Sequence, residues 1–135
     1  MKIRKLFLKD KRGQSIIEFA LVLPILLMVL FGITEFGRAI MVKNILHTAS
    51  REGARLAAVS AEGDSLSVQD RVREVLLAAS IKPADIQEIT VEFDLSEDVV
   101  RVTVVTSFHV LSGGILDPFM GTILLRGGTV MRYEG

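Results

Sequence analysis

One uncharged apolar stretch near the N-terminus constrains this chain more than any other feature. Residues 19–33 read FALVLPILLMVLFGI, and the wider segment 14–34 contains one charged residue, Glu18. A helix rises about 1.5 Å per residue, so this segment reaches about 31 Å, close to the hydrocarbon thickness of a bilayer. We therefore expect residues 14–34 to cross a membrane as part of a long helix.

The segment in front of this span, residues 1–13, is basic. It holds six lysines and arginines against one acidic residue, whereas only Arg38 and Lys43 follow the span closely. Basic residues mark the cytoplasmic side of a membrane helix, so we expect a cytoplasmic N-terminus and residues 35–135 outside the cytoplasm. The span runs into TEFGR rather than an A-x-A-like site, which argues against a conventional secretory signal.

Glu18 needs an explanation, because a carboxylate inside an apolar span is costly unless it is paired or near the interface. One explanation is that it lies at the cytoplasmic end of the span and reaches the lipid headgroups. The residues before it favour another. The run KRGQSIIEF, residues 11–19, places Gly13 after two basic residues and Glu18 five positions beyond that glycine. This run resembles the type IV prepilin processing site.

The resemblance implies that a membrane aspartyl peptidase cuts between Gly13 and Gln14 and removes residues 1–13 as a leader. Gly13 is small enough to let the backbone enter such a site, and glycine resists helix continuation where an extended substrate is needed. The resemblance assigns Glu18 and the following Phe19 to assembly. The carboxylate of Glu18 and the new terminal amine would neutralise each other between neighbouring subunits.

The similarity extends along the chain. The stretch GQSIIEFALVLPILLMVLFGITEFGRAI, the run ASREGARLAAV at positions 49–59 and MRYE near the C-terminus resemble the TadE-like family of pseudopilins, which accompany the tight-adherence (Flp) pilus. The family implies a minor pilin-like subunit, not an enzyme, in the cytoplasmic membrane or the pilus. Its implied partners are the prepilin peptidase, other pilin-like subunits, assembly-platform proteins and membrane lipid.

The REGAR run suggests a contact between subunits. Within the resembled family it recurs as a motif, which makes Arg51, Glu52 and Arg55 candidates for that contact. The plainer interpretation is a solvated charged face, since residues three and four apart on a helix form weak surface ion pairs.

Helical periodicity continues beyond the span. Apolar residues recur at steps of three and four, namely Val42, Ile45, Leu46, Ala49, Gly53 and Leu56. The other side is expected to carry Lys43, His47, Ser50, Arg51 and Arg55. One helix should therefore run from Gln14 to about Val59. Pro24 lacks the amide hydrogen that the helix needs and should kink it.

A small α+β domain is expected after the long helix. Ser67, with Asp70 three positions on, predicts the N-cap of a second helix of roughly 14 residues, which ends before Pro83. Alternating apolar residues over 89–95 and 100–104 predict a β-hairpin with one buried face.

The last part of the chain is expected to complete an antiparallel sheet of about three strands. Residues 123–133 are β-prone around Gly127 and Gly128 and predict either a third strand or another hairpin. The glycines and proline between Leu111 and Thr122 predict a loop, which we expect to tuck Leu116, Phe119 and Met120 under the domain.

Catalysis, cofactors and nucleic acid find little support in the sequence. Zero net charge gives no basic footprint for nucleic acid, and the absence of cysteine excludes disulfides and thiolate sites. His47 and His109 lack the spacing of metal ligands, so we expect no metal. Ser107 lies near His109, but no G-x-S-x-G elbow accompanies it.

Two other classes of function stay open. The chain is alternatively an uncleaved single-pass membrane protein whose outer domain binds a ligand or partner. A membrane-tethered enzyme is the third class, and it would need a clustered polar site. The N-terminal residue of the protein isolated from membranes distinguishes the first two classes.

Overall fold

The computed structural model describes residues 11–60, 64–110 and 121–133. Contacts within the chain divide it between Thr34 and Glu35 into two units. Most of the predicted leader lies outside the described residues. The same is true of most of the predicted loop, including Leu116, Phe119 and Met120.

The first unit is helical throughout its described part, which belongs to helix α1, Lys11–Val59. The helix begins three residues before the predicted start at Gln14 and passes through Gly13. One glycine costs a helix only about 1 kcal/mol relative to alanine, which neighbouring helix-forming residues offset. Pro24 also lies inside α1, and the kink there stays a prediction.

The second unit contains the remainder of α1, a second helix and three strands. The elements in chain order are α2 (Ser65–Ala78), a single 3-10 turn (Pro83–Asp85), β1 (Ile86–Asp94), β2 (Val99–His109) and β3 (Thr122–Arg132). The strands form one antiparallel sheet in the order β1-β2-β3. The predicted α+β fold is confirmed.

The core of the second unit lies between one face of the sheet and the two helices. Burial follows a period of two along β2 and a helical period along α1 and α2, as the sequence pattern predicts. The fully buried apolar residues are Leu46, Ala49, Ala54 and Ala57 of α1, Val68, Val72 and Leu76 of α2, and Val100, Val102 and Val104 of β2. Since α1 contributes mainly alanine, its backbone packs close to the other elements.

Two glycines mark the closest approaches in this core. A Cβ atom on Gly127 of β3 would lie 2.6 Å from Leu46 Cβ and 2.9 Å from the backbone nitrogen of His47. A Cβ atom on Gly53 of α1 would overlap the side chain of Val72. The backbone of α1 therefore lies directly against β3, and α2 directly against α1.

Ser50 lies on the buried side of α1, so its predicted place on the polar side is wrong. Its hydroxyl donates to the carbonyl oxygen of His47 at 2.9 Å, and the Thr129 hydroxyl of β3 lies 2.9 Å away. A buried hydroxyl costs little when it is hydrogen-bonded. The partner on β3 is a tertiary contact, which periodicity along one helix cannot reveal.

The N-cap of α2 is Asp64, not Ser67 as predicted. Its Oδ1 accepts hydrogen bonds from the backbone nitrogen and the hydroxyl of Ser67, at 3.4 and 2.6 Å. Ser67 therefore acts as the donor in the first turn. Asp70, its predicted capping partner, instead forms an ion pair with Arg73 at 3.2 Å.

The turn between β1 and β2 is organised by Asp94. Its carboxylate accepts hydrogen bonds from the hydroxyl and the backbone nitrogen of Ser96, at 2.5 and 3.0 Å. These bonds, the side-chain one above all, lower the pKa of Asp94 from its ordinary value. Leu95, predicted to continue the buried strand, lies in this turn and is exposed because β1 ends at Asp94.

Tyr133 joins the end of β3 to the hairpin and to the end of α1. Its backbone nitrogen donates to the carbonyl oxygen of Asp98 at 2.7 Å, and its hydroxyl donates to the carbonyl oxygen of Ser60 at 3.2 Å. Its ring meets Phe93 edge-on, with centroids 5.6 Å apart. The backbone and the side chain of Tyr133 together connect β3 to the β1–β2 hairpin and to the residue that follows α1.

We expect Gly127→Ala to lower the free energy of unfolding by about 1–3 kcal/mol, because the added methyl group meets the backbone of α1. Gly128→Ala is the matched control, since a Cβ atom there would lie 3.5 Å from its nearest neighbour, the Thr103 hydroxyl oxygen. Urea unfolding of the full chain in detergent, followed by circular dichroism, measures both. Equal stability of the two variants would contradict the close approach.

Candidate functional site

The four residues predicted for processing and assembly lie in the first turns of α1. The four-residue step from Gln14 to Glu18 places their side chains on one face. Gln14 Nε2 donates to Glu18 Oε1 at 3.3 Å. Glu18 and Phe19 are exposed, and Gly13 precedes them inside the helix. The structure thus brings Gln14 and Glu18 into contact, one turn apart.

Gly13 has no packing role in the described part of the molecule. A Cβ atom built there would have nothing within 4 Å, in contrast to Gly53 and Gly127. A larger residue therefore fits the helix without a clash. A requirement for glycine at this position would therefore not come from packing within the described residues.

The peptide bond between Gly13 and Gln14 lies within the first turn of α1. A peptidase that binds an extended substrate must first unwind this turn. Glycine lowers the cost of unwinding, because it destabilises a helix by about 1 kcal/mol relative to alanine. The residue type therefore suits a cleavage site even though the backbone is helical there.

Large apolar side chains surround α1 between Ile16 and Ile33 without being buried by the protein. Ile16 is 68 % exposed, Phe19 63 % and Leu21 69 %. By length and composition α1 is able to cross a membrane. A helix that is apolar on all sides and uncovered requires lipid or other apolar helices around it. A helix of this length and composition fits a single-pass membrane protein.

The charged residues of the REGAR run lie on the outer side of α1. Arg55 pairs with Glu52 at 3.2 Å, and the Arg55 side chain is 75 % exposed. Arg51 is exposed as well and forms no ion pair with any residue that the structure describes. Exposed pairs of this kind contribute about 0–1 kcal/mol to folding, so these residues remain available to a partner.

The small residues of the same run have a structural role that sequence reasoning missed in part. Gly53 and Ala54 are buried, and Gly53 sits where the side chains of Val72 and Val102 meet α1. The apolar periodicity predicts that Gly53 faces the core. The requirement for glycine comes from α2, because the Val72 side chain occupies the space that a Cβ atom would need. The REGAR run thus combines a close packing site with an exposed charged face.

The polar residues around His109 do not form a hydrolytic site. His109 Nε2 lies 3.4 Å from Asp85 Oδ1, and its Nδ1 lies 3.3 Å from the Thr122 hydroxyl. The Ser107 hydroxyl donates to the backbone carbonyl of Asp85 at 3.2 Å. In a Ser-His-Asp triad the serine hydroxyl is hydrogen-bonded to an imidazole nitrogen, and among the described residues Ser107 makes no such bond.

Metal-binding geometry is also missing from residues 11–60, 64–110 and 121–133. No three histidine or carboxylate side chains in those ranges come together as a group that could hold an ion. His47 is exposed on α1, and His109 is exposed at the end of β2, on separate elements.

Comparison with known proteins identifies the N-terminal part of the chain. A family model described as TadE-like protein matches residues 13–55, from the predicted cleavage site to the end of the REGAR run. No curated protein and no solved structure matches the chain. The resemblance predicted from the sequence is confirmed: over residues 13–55 the chain is similar to the TadE-like family, whose members are structural, pilus-associated proteins.

Proposed function

We propose that this chain is a minor pilin-like subunit that acts in the assembly of a tight-adherence pilus after a prepilin peptidase cuts it between Gly13 and Gln14. The observation that carries the proposal is the extent of the family match, which begins at Gly13 and includes the whole apolar span. The exposed apolar surface of α1 supports it, since such a surface needs lipid or neighbouring helices.

The contact between Gln14 and Glu18 gives the processing step a physical role. In the uncut chain the Glu18 carboxylate has the neutral amide of Gln14 as its hydrogen-bond partner. Cleavage places a positive α-amino group on Gln14. A carboxylate at the edge of an apolar span is stabilised by a cation, so the new amine can neutralise Glu18 of the same or a neighbouring chain.

The orientation proposed for this subunit follows from the flanking charges. Residues 1–13 carry six basic side chains, whereas the segment after the span carries Arg38 and Lys43. The positive-inside rule then puts residues 1–13 in the cytoplasm and the α+β unit outside it. This orientation also exposes the scissile bond to a peptidase at the cytoplasmic face of the inner membrane.

Replacement of Gly13 by leucine is expected to abolish cleavage, because the bulky side chain blocks close binding of the backbone by the peptidase. Gly32→Leu is the matched control, since neither glycine has a neighbour within 4 Å of its Cβ position. The intact mass and the N-terminal sequence of each protein, purified from cells that contain the peptidase, show whether it has been cleaved. The control and the unmodified chain should begin at Gln14.

A chain that still begins at Met1 in peptidase-containing cells would contradict the processing step. It would favour the uncleaved single-pass protein with an outer binding domain. Cleavage of the Gly13→Leu chain at the same bond would also contradict the role assigned to Gly13.

A reporter enzyme that is active only outside the cytoplasm should be active when fused after Tyr133. The same reporter placed before Met1 should be inactive, because the basic leader stays inside. Activity measured in whole cells at equal expression checks the orientation. The reverse pattern of activity would overturn it.

Glu18→Gln is expected to reduce pilus production and recovery of other pilus components, because it removes the charge and keeps the size. Glu18→Asp keeps the charge and should retain more pilus production than Glu18→Gln. Membrane level and cleavage at Gly13 are measured for each variant, so that a loss of assembly is separated from a loss of protein. Wild-type assembly by the Glu18→Gln chain would show that Glu18 only reaches the headgroups.

A further inference from the structure

The face of the sheet that points away from the helices carries charges in rows. The registers of the two strand pairs align Glu88 of β1 with Val105 of β2, and Val105 with Arg126 of β3. A second row runs from Asp94 through Val99 to Arg132. Each row thus begins with a carboxylate at one edge of the sheet and ends with a guanidinium at the other.

The charges at the two edges differ in sign. On this face β1 presents Glu88, Glu92 and Asp94, whereas β3 presents Arg126 and Arg132. Glu92 pairs with Arg101 of β2 inside the subunit, at 3.6 Å. Within the described residues, neither Arg126 nor Arg132 forms an ion pair. The basic edge therefore lacks counter-charges of its own.

The outer edge of β3 is long and regular, and its charged side chains are arginines, which can pair with carboxylates on another strand. The strand has no proline, and it pairs with β2 over eleven positions with no shift in register. Leu124 and Val130 on its outer face are 63 % and 52 % exposed. In the part of the chain that the structure describes, β2 is the strand that pairs with it, so its other edge offers unpaired backbone groups.

We propose that the β3 edge of one copy pairs with the β1 edge of a second copy, in parallel and in register. Both strands are antiparallel to β2, so a second copy in the same orientation continues the sheet without turning over. Glu88 and Asp94 are six residues apart, as are Arg126 and Arg132. One register therefore places Glu88 of the second copy opposite Arg126 and its Asp94 opposite Arg132.

Charge complementarity selects this arrangement among the contacts that the two edges can make. Pairing of two β1 edges would bring carboxylates together, and like charges across strands are destabilising. Pairing of two β3 edges would leave the arginines without carboxylates. A β3-to-β1 contact pairs the charges of both rows. It leaves one unpaired sheet edge on each end copy, so further copies can add and the assembly is open rather than a closed dimer.

The inference concerns the edges of the sheet alone and does not rest on the pilus proposal or on cleavage at Gly13. Cross-linking can therefore be done in a host that lacks a prepilin peptidase. A failure here leaves the proposed function standing, and a failure of cleavage leaves this contact standing.

Disulfide cross-linking tests the contact cleanly, because the full chain has no cysteine. One copy carries Glu88→Cys and a differently tagged copy carries Arg126→Cys, and membranes that contain both are treated with a mild oxidant. Within one chain these positions are two strand spacings apart, about 10 Å, which exceeds the roughly 7 Å limit for a disulfide. In the proposed contact they are one strand spacing apart.

We expect a disulfide-linked heterodimer from the Glu88→Cys and Arg126→Cys pair and none from either variant alone. The control pair, Glu88→Cys with Arg132→Cys, is out of register by about 20 Å and should not cross-link. Homodimers of the Arg126→Cys chain would indicate β3-to-β3 pairing and overturn the proposal. Equal yields from the matched and control pairs would overturn it as well.

A charge exchange provides a second test that does not use cysteine. When both of two differently tagged copies carry Arg126→Glu, their co-purification should fall, because two carboxylates then face each other across the contact. Combining an Arg126→Glu copy with a copy that carries Glu88→Arg should restore it. Circular dichroism of each chain verifies that the fold is intact. Undiminished co-purification with Arg126→Glu, or no recovery in the exchanged pair, would contradict the proposed register.

Discussion

The close approach of α1 to the sheet is the constraint on which the second unit depends. Leu46 and His47 lie against the backbone of β3, which is possible because position 127 is glycine. On the same helix Ala49, Ala54 and Ala57 are fully buried, and Gly53 admits the side chain of Val72. A long helix with small residues on one side therefore serves as the base on which α2 and three strands pack.

Helix α1 has two different surfaces along its length, and the family match includes both. Up to about Ile33 its apolar residues are exposed on all sides, whereas from Leu46 to Ala58 they face one core. Residues 13–55 include both parts but none of the sheet. The charged residues of the REGAR run are exposed and are not needed for packing, whereas Gly53 in the same run is needed. A mutation in this run therefore tests assembly only if Gly53 is left unchanged.

The sequence predicted the elements because their periodicities are local. Alternation of apolar and polar residues predicts β1 and β2, and apolar residues at steps of three and four predict α1 and α2. The misplaced residues each depend on a contact that periodicity does not contain: Ser50 on Thr129 of β3, and the start of α2 on the side chain of Asp64. Gly13, Glu18 and Phe19 are predicted from a motif, and the structure adds that Gln14 contacts Glu18. The charged rows could not be found from the sequence, because they require the register of all three strands.

Net charge of zero conceals an uneven distribution that bears on how copies of this chain meet. Six of the sixteen basic residues lie in residues 1–13, with one acidic residue, so the remainder of the chain has an acidic excess. Two such chains repel weakly at long range, since salt screens charges beyond about 8–10 Å. At contact distance the local pattern decides, and β3 presents arginines where β1 presents carboxylates. Backbone hydrogen bonds at the strand edges would supply attraction in many registers, whereas the charged rows favour one, which is how electrostatic complementarity gives specificity more than affinity.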